Sequence, residues 1–529
     1  MIRDSIRDLI LKALMELGVE AKDFVVEHPV DLKMGDYSTN VGIKNQSRKQ
    51  EIFEYLKSHK PEEIERVEMV GPGFINFYLS KKFFAESIKE VIKRGKKYGR
   101  LDNFNGEKVM VEYTDANPFK EFHIGHLMSN AIGEAVSRAI EWNGAKVKRA
   151  NYQGDVGMHV AKAVWALLRG ESHADAYAIG NKAYEGDLEA RKEIEEVNKM
   201  IYSRTNKGVN KVYDSGRSES LKAFEKMYKR LGTDFDYYFF ESEVGKLGLK
   251  LVEENMGKIF EKTDGPIVFR AELKDPSLHT RVFVNSLGLP TYEAKDLGNA
   301  LNKYKKFKYD KSVVVTGNEI REYFKIVLLA LSFISPELAE KTRHLPHGML
   351  KLTTGKMSSR TGDVITAESL IDEVKERVKG SEDVAIGAIK YMILRQSIGN
   401  DIIFDVEKSV STEGDSGVYL QYAHARAASV LEKASGVGNT KVERKVTHEV
   451  ERHLYRFPEV VERVGREYSP HHLVTYLTEL AGSFNNFYAR EQVLSDDPES
   501  KYRLAIVEAF EIVMKNGLNI LGISAPEKM

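Results

Sequence analysis

The chain has 529 residues, with 42% apolar side chains, no cysteine, and 79 basic residues balanced by 79 acidic ones. The missing thiols exclude disulfides, thiol nucleophiles, cysteine-held iron–sulfur clusters and thiolate zinc sites. Zero net charge gives no electrostatic pointer to nucleic acid, and no apolar run approaches the ~18 residues that span a bilayer, so no membrane association is expected.

Length alone suggests about three or four domains. Residues 1–104 read as an α+β unit. Ile2, Ile6, Leu9, Ile10, Ala13, Leu14 and Leu17 recur at helical spacing. Charged Arg3, Asp4, Arg7, Asp8, Lys12 and Glu16 interrupt them, so an amphipathic helix is expected rather than a signal peptide. Gly35-Asp36-Tyr37 marks a turn. Residues 74–79 (FINFYL) predict a strand, and a basic helix closes at residues 93–97. Polar residues 101–107 mark a boundary. Residues 109–113 (VMVEY) predict a strand, 127–142 a helix stopping at Gly144, and 146–151 a second strand. Strand, loop, helix, strand opens a parallel α/β sheet. Residues from about 161 to 260 read as a charged helical insertion, after which 282–284 and 313–316 resume the strand signal. Residues 326–331 fit a buried element. Helical periodicity dominates from about Glu382, with a long helix over 419–433. The expected division is 1–104, 105–399 and 400–529.

Two motifs carry chemistry. Asn117-Pro118-Phe119-Lys120-Glu121-Phe122-His123-Ile124-Gly125-His126 lies between a predicted strand and a predicted helix. A helix N-terminus offers free N–H groups and partial positive charge to a phosphate, and two histidines three apart can serve one bound group. Gly125 lacks a Cβ, so a flat base can approach the backbone. The alternative is a pair of structural histidines at a turn. Zinc is a weaker alternative, with His344 and His347 repeating the spacing, because no carboxylate is fixed to either pair. The second motif is Gly355-Lys356-Met357-Ser358-Ser359-Arg360-Thr361-Gly362. Its cations and hydroxyls suit a loop closing over a triphosphate, against the alternative of a solvated basic loop. It is not a P-loop: Gly348 and Gly355 are too far apart, and Met357 stands where Ser or Thr would ligate magnesium.

Together, HIGH on a strand–helix junction and KMSSR well downstream resemble the signature of class I aminoacyl-tRNA synthetases. The surrounding sequence is similar to the arginyl-tRNA synthetase family over nearly the whole chain. The similarity runs through Gly35-Asp36-Tyr37, Gly71-Pro72-Gly73-Phe74-Ile75-Asn76, Asn151-Tyr152-Gln153-Gly154-Asp155 and Thr291-Tyr292-Glu293-Ala294-Lys295-Asp296. It continues through Tyr419-Leu420-Gln421-Tyr422-Ala423-His424-Ala425-Arg426, Phe484-Asn485-Asn486-Phe487-Tyr488 and the closing residues to Met529.

The resemblance implies an α/β fold: a Rossmann-like parallel-sheet catalytic domain, an N-terminal α+β domain that contacts tRNA, and a C-terminal all-α anticodon-binding domain. It implies a cytoplasmic arginine–tRNA ligase, a monomer, that uses ATP with Mg2+, L-arginine and tRNA(Arg), without a protein-held metal; the stretch between the two signatures must complete the α/β core and hold the helical insertion, so no separate editing domain is expected. By the same resemblance, Lys120, His123, His126, Lys356 and Arg360 are catalytic, and His123, Gly125, His126, Lys356, Met357 and Ser358 bind ATP. Asn117, Glu241, Tyr292 and Asp296 bind arginine; Phe74, Asn76, Tyr422, Arg426, Tyr488 and Met529 contact tRNA. Carboxylates and a hydroxyl at fixed angles suit arginine's planar cation and fork of donors. Two departures stand out. The family's second loop lysine is replaced by Ser359, with Lys120 holding the place that compensates. Ile320 and Tyr323 occupy a region where relatives often show Gln and His. Rival readings are a different class I synthetase, a non-catalytic tRNA-binding protein, and a zinc protein built on the paired histidines.

Overall fold

A computed structural model describes residues 1–21, 23–353, 365–434 and 447–529. The first helix, Ile2–Glu16, buries Ile6, Ile10, Ala13 and Leu14, the apolar stripe that its spacing predicts. It packs on a four-stranded antiparallel sheet of β1 (Val26–Glu27), β2 (Tyr37–Thr39), β3 (Ile64–Val70) and β4 (Phe74–Leu79), ordered β1-β2-β4-β3. The helix Lys81–Arg94 leaves this unit, and its Ile88 and Val91 join the core shared with the C-terminal helices.

The centre is a five-stranded parallel sheet of β5 (Lys108–Glu112), β6 (Lys146–Gln153), β7 (Tyr237–Phe240), β11 (Lys311–Gly317) and β12 (Thr342–His347). Its order is β12-β11-β5-β6-β7. The chain moves outward from β5 in one direction through β6 and β7, then returns to β5's other side with β11. That reversal opens a crevice beyond the carboxyl ends of β5 and β11, where sheets of this kind bind ligands. The helix Ile124–Trp142, buried on nearly all sides, connects β5 to β6 and packs on the face of the sheet against β11, β5 and β6.

Four helices (Met158–Leu167, Ala176–Gly186, Leu188–Ser203 and Lys207–Arg230) form an insertion between β6 and β7 with a core of its own. The helix Glu241–Glu254 follows β7 and belongs with the sheet, although residues 237–254 lie inside the stretch that the charge pattern assigns to the insertion. Residues 282–284 form a strand as expected, but β10 (Arg281–Val284) joins β8 (Glu261–Lys262) and β9 (Ile267–Phe269) in a small antiparallel sheet, not the parallel one. β12 (TRHLPH) carries no apolar alternation and holds a proline. It is tolerated because it is an edge strand. After the short pair β13 (Leu350–Leu352) and β14 (Ile402–Phe404), the chain ends in helices, among them Gly417–Lys433, Glu449–Leu454, Phe457–Glu467, His471–Arg490 and Ser500–Ile520.

The N-terminal unit docks on these last helices. Asp36 accepts from Arg452 Nε at 2.7 Å and from the Leu79 amide at 2.8 Å. The Tyr37 hydroxyl donates to Glu459 at 2.5 Å, and Arg3 pairs with Glu462. The turn motif at residues 35–37 is therefore a docking element.

Candidate active site

The crevice at the switch point is a basin of about 790 Å³. The loop after β5 supplies Thr114, Asp115 and Asn117; the helix after it supplies His123, Gly125 and His126; β6 supplies Tyr152; the later helices supply Glu241, Tyr292, Asp296 and Tyr323. The loop is under backbone strain. Thr114, Asp115 and Phe119 hold φ of 79°, 50° and 67°, which non-glycine residues adopt rarely and which surrounding bonds must enforce. The Thr114 amide donates to Ser129 Oγ at 2.9 Å, and Asn130 donates to the Thr114 hydroxyl at 3.0 Å. The Tyr152 amide donates to Asp115 at 2.8 Å, and the Gly154 amide donates to Asn117 Oδ1 at 2.9 Å.

His123 is the N-cap of the helix Ile124–Trp142. Its Nδ1 accepts from the Gly125 amide at 3.1 Å, while the His126 Nδ1 accepts from the His123 amide at 3.2 Å. The rings stack at 3.7 Å. Burial, with Lys120 nearby, lowers both imidazoles' proton affinity, His126 most strongly. Neutral rings whose Nδ1 atoms accept must carry their proton on Nε2. The helix end thus presents two Nε2–H donors. A Cβ at position 125 would lie 2.9 Å from His123's ring, so the glycine is required by the cap itself as well as by anything that approaches it. Lys120 does not line the basin; its ammonium rests over the ring of Tyr177, 5.0 Å from its centre.

Lys356, Met357, Ser358 and Arg360 lie outside the described residues. The chain on either side of that segment flanks the helix start. Met349 and Leu350 line the basin. Beyond the segment, Ile365 accepts from the Ile124 amide at 3.2 Å, and the Ala367 amide donates to Phe122 at 2.8 Å.

Opposite the histidines, acids collect. Asp296 accepts from the Tyr323 hydroxyl at 2.6 Å. Burial, then the neighbouring Glu112 and Glu241 charges, push its carboxyl up to about 7 against the pull of that hydroxyl. Tyr323 thereby occupies its departure position with a donor to the pocket acid. Glu112 is held by Lys303 and Asn299, each at 3.0 Å. Glu241 is buried and pairs with Lys295 at 2.6 Å. Tyr292 starts its helix as an exposed residue, 55% accessible, and lines the basin. The helices carrying Glu241 and Asp296 approach closely because Gly248 and Gly298 face each other's backbone; a Cβ at 248 would sit 1.9 Å from the Ala294 carbonyl.

No group of three or more His, Asp or Glu side chains is arranged to hold a metal among the described residues. His344 and His347 stand on β12, where an odd spacing sends side chains to opposite faces. Accordingly His344 meets Thr316 at 2.7 Å, and His347 meets the Gly348 carbonyl at 2.7 Å.

The comparisons agree with this geometry. Residues 87–382 match the catalytic domain of class I (R) tRNA synthetases, residues 2–79 the N-terminal domain of arginyl tRNA synthetase, and residues 420–529 the DALR anticodon binding domain. An arginine–tRNA ligase of Treponema denticola is 30% identical over 87% of this chain and 86% of its own length. One of Clostridium perfringens is 30% identical over 98% of both chains. The chain belongs to the arginyl-tRNA synthetase family. The solved Thermus thermophilus arginyl-tRNA synthetase superposes with a TM-score of 0.82 at 26% identity, over all of both chains. That of Plasmodium falciparum reaches 0.80 at 21% identity, covering 100% of this chain and 99% of its own, a likeness of fold.

Within this family's frame the outer candidates fall at two places. On the C-terminal domain, Arg426 lies between Tyr422 and Tyr488, 4.9 Å and 5.6 Å from their ring centres, and donates to Asn485 at 2.6 Å. Both rings are about two-fifths exposed, and Met529 is exposed as well. On the N-terminal sheet Phe74 is exposed, whereas Asn76 is buried and accepts from Ser38 at 2.7 Å. Sequence reasoning gave no role to Gly154, Asp155, Lys295 or Tyr323. Asp155 ties Ser242, beside Glu241, to Arg217 of the insertion, with bonds of 2.7 and 2.8 Å. Gly154, Asp155 and Lys295 stood inside motifs already singled out and Tyr323 at a noted departure, but their partners lie far along the chain.

Proposed function

We propose that the basin performs both steps of arginine–tRNA ligation. In the first, an arginine carboxylate oxygen bonds to the α-phosphorus of ATP in line, the bond to the β-phosphate breaks, and pyrophosphate leaves. In the second, the 2′-hydroxyl of the tRNA terminal adenosine attacks the carbonyl carbon of arginyl-adenylate, and AMP leaves. Little covalent work falls to the protein, so positioning and charge stabilisation carry the rate.

The observation that carries this reading is one basin with two chemically distinct walls. One wall is the helix end with its two Nε2–H donors, His123 and His126, suited to phosphate oxygens; Gly125 leaves room beside them for the adenine. The other holds Glu241, Tyr292 and Asp296, suited to a guanidinium, with Asn117 at the substrate's α-amino and carboxyl groups. Lys120, Lys356 and Arg360 supply mobile positive charge, with Met357 and Ser358 completing the ATP loop. Mg2+ arrives as part of the triphosphate substrate. Tyr422, Arg426 and Tyr488 suit stacking of anticodon bases beside Met529, and Phe74 with Asn76 suits the tRNA elbow. A monomer in the cytoplasm completes the reading.

The test is amino-acid-dependent ATP–pyrophosphate exchange across all twenty amino acids, with and without total tRNA. Exchange is expected with arginine alone. Exchange with a different amino acid overturns the assignment of Glu241, Tyr292 and Asp296, and none under either condition overturns the catalytic reading.

A further inference from the structure

Lys295 stands immediately before Asp296 on the helix Tyr292–Lys306, yet it lines neither the basin nor the second large cavity beside it. Its ammonium bonds Glu241 Oε2 at 2.6 Å, with 4% of the lysine side chain and 6% of the glutamate side chain exposed. Glu241 itself lines both cavities and forms the partition between them. Its other oxygen, Oε1, faces Gly154 at the basin, 3.0 Å from where a Cβ would stand. The carboxylate is therefore gripped from behind by one oxygen and offers the other forward. The second cavity, about 710 Å³, lies between the insertion and the helix Glu241–Glu254 with residues 287–290, and Tyr202 from the helix Leu188–Ser203 lines it. Tyr202's ring centre is 5.8 Å from the Lys295 ammonium, and that of Tyr292 is 5.0 Å distant.

We propose that Lys295 is a positioning residue for arginine selection: it anchors Glu241 as a charged, forward-facing carboxylate, and Tyr202 of the insertion steadies it. This rests on the reading of Glu241 as an arginine contact. A buried carboxylate without a counter-ion takes up a proton, and a protonated acid loses its hold on a guanidinium. Burial does push the Glu241 carboxyl up, and Lys295 is the strongest group pulling it back. The other titratable groups near Glu241 are Asp155, Lys120, Tyr152, Tyr202, Tyr292, Asp296 and Tyr323. Tyr202 and Glu241 together hold Lys295 in its charged form. The amino-acid pocket is in this way tied to the insertion through Tyr202, Lys295 and Glu241 in series. The same short ion pair has a second physical meaning, in which Lys295 merely occupies the substrate cation's place until arginine displaces it. The two differ in sign.

The experiment is steady-state exchange and aminoacylation with the full chain, separating KM for arginine, KM for ATP and kcat in Lys295→Met, Lys295→Arg, Glu241→Gln and the Lys295→Met/Glu241→Gln double variant. Lys295→Met is expected to raise the arginine KM about tenfold or more, with the ATP KM within about twofold, and Lys295→Arg to recover most of the loss. The double variant is expected to be no worse than Glu241→Gln alone, because Lys295 acts only through Glu241. An unchanged or lower arginine KM in Lys295→Met overturns the proposal and makes the lysine a placeholder. If Glu241→Gln leaves the arginine KM unchanged, the reading of the pocket fails and the proposal falls with it. Should Lys295→Met not fold, Tyr202→Phe decides: an arginine KM about threefold higher supports the series, and no change overturns it.

Discussion

His126 is built to donate, not to titrate. Its Nδ1 is occupied by the His123 amide at 3.2 Å, and burial lowers the ring's proton affinity well below that of an ordinary imidazole. A phosphate meeting Nε2–H gains a donor fixed in place by the bond at Nδ1. His126→Ala is expected to slow arginine activation by about 10²–10³-fold, measured by exchange at saturating arginine; activity near the unsubstituted level rules out its place at the phosphates. Asp296 behaves oppositely. With its carboxyl pushed up to about 7, the empty pocket holds a proton near neutrality. A guanidinium favours the ionised form, so binding expels that proton and strengthens as pH rises. The arginine KM is expected to rise as pH falls from 8 to 6, approaching tenfold per unit below the pKa. A flat arginine KM over that range would show that Asp296 does not meet the substrate's charge.

At the scale of elements, the pocket is a consequence of how closely two helices cross. Glu241 stands at the start of one, and Tyr292, Lys295 and Asp296 on the first turns of the other. Gly248 and Gly298 remove the side chains that would hold the pair apart. Gly248→Ala introduces a Cβ 1.9 Å from the Ala294 carbonyl. It is expected to cost about 1–3 kcal/mol of stability by overpacking, and to raise the arginine KM more than the ATP KM, because His123 and His126 ride on a different helix. Thermal melting together with the two Michaelis constants checks this; an unaltered arginine KM in a destabilised variant would uncouple the crossing from the pocket. The loop after β5 follows the same logic. Of its three residues at positive φ, Thr114 and Asp115 are held by bonds to Ser129, Asn130 and Tyr152, on elements that also line the basin, and the Phe119 amide donates to Ser220 of the insertion at 3.0 Å.

Across the whole molecule, the first and last parts of the chain meet. Asp36 and Tyr37 bind Arg452 and Glu459, more than 400 residues away. This contact sets where the N-terminal sheet stands relative to the C-terminal helices, far from the basin. Arg452→Ala is expected to leave arginine activation unchanged and to speed proteolytic release of the N-terminal unit several-fold. Identical digestion rates in the two proteins would remove the ion pair from this role. Lys390 ties the other domains together. It is buried and donates to the carbonyls of Leu231 at 2.7 Å and Gly522 at 2.6 Å, joining the end of the insertion to the C-terminus.

Signals written in neighbouring residues were legible from the chain alone. The amphipathic first helix, the β5–loop–helix–β6 run, the helical C-terminus and the phosphate-suited helix start each follow from local periodicity, or from a motif whose residues are adjacent. The family likeness followed from the same motifs. Pairings that close over long distances were decided by folding. β12 has no strand pattern of its own and exists because β11 offers it an edge. β10 reads as any apolar strand, and its partners made it antiparallel. Asp36 reads as a turn and became a domain contact. Lys295 has no role legible in its own motif, and became a buried counter-ion because Glu241, 54 residues earlier, was carried to its side. Burial and charge pairing depend on which surfaces meet, and those partners are separated in the chain by whole elements.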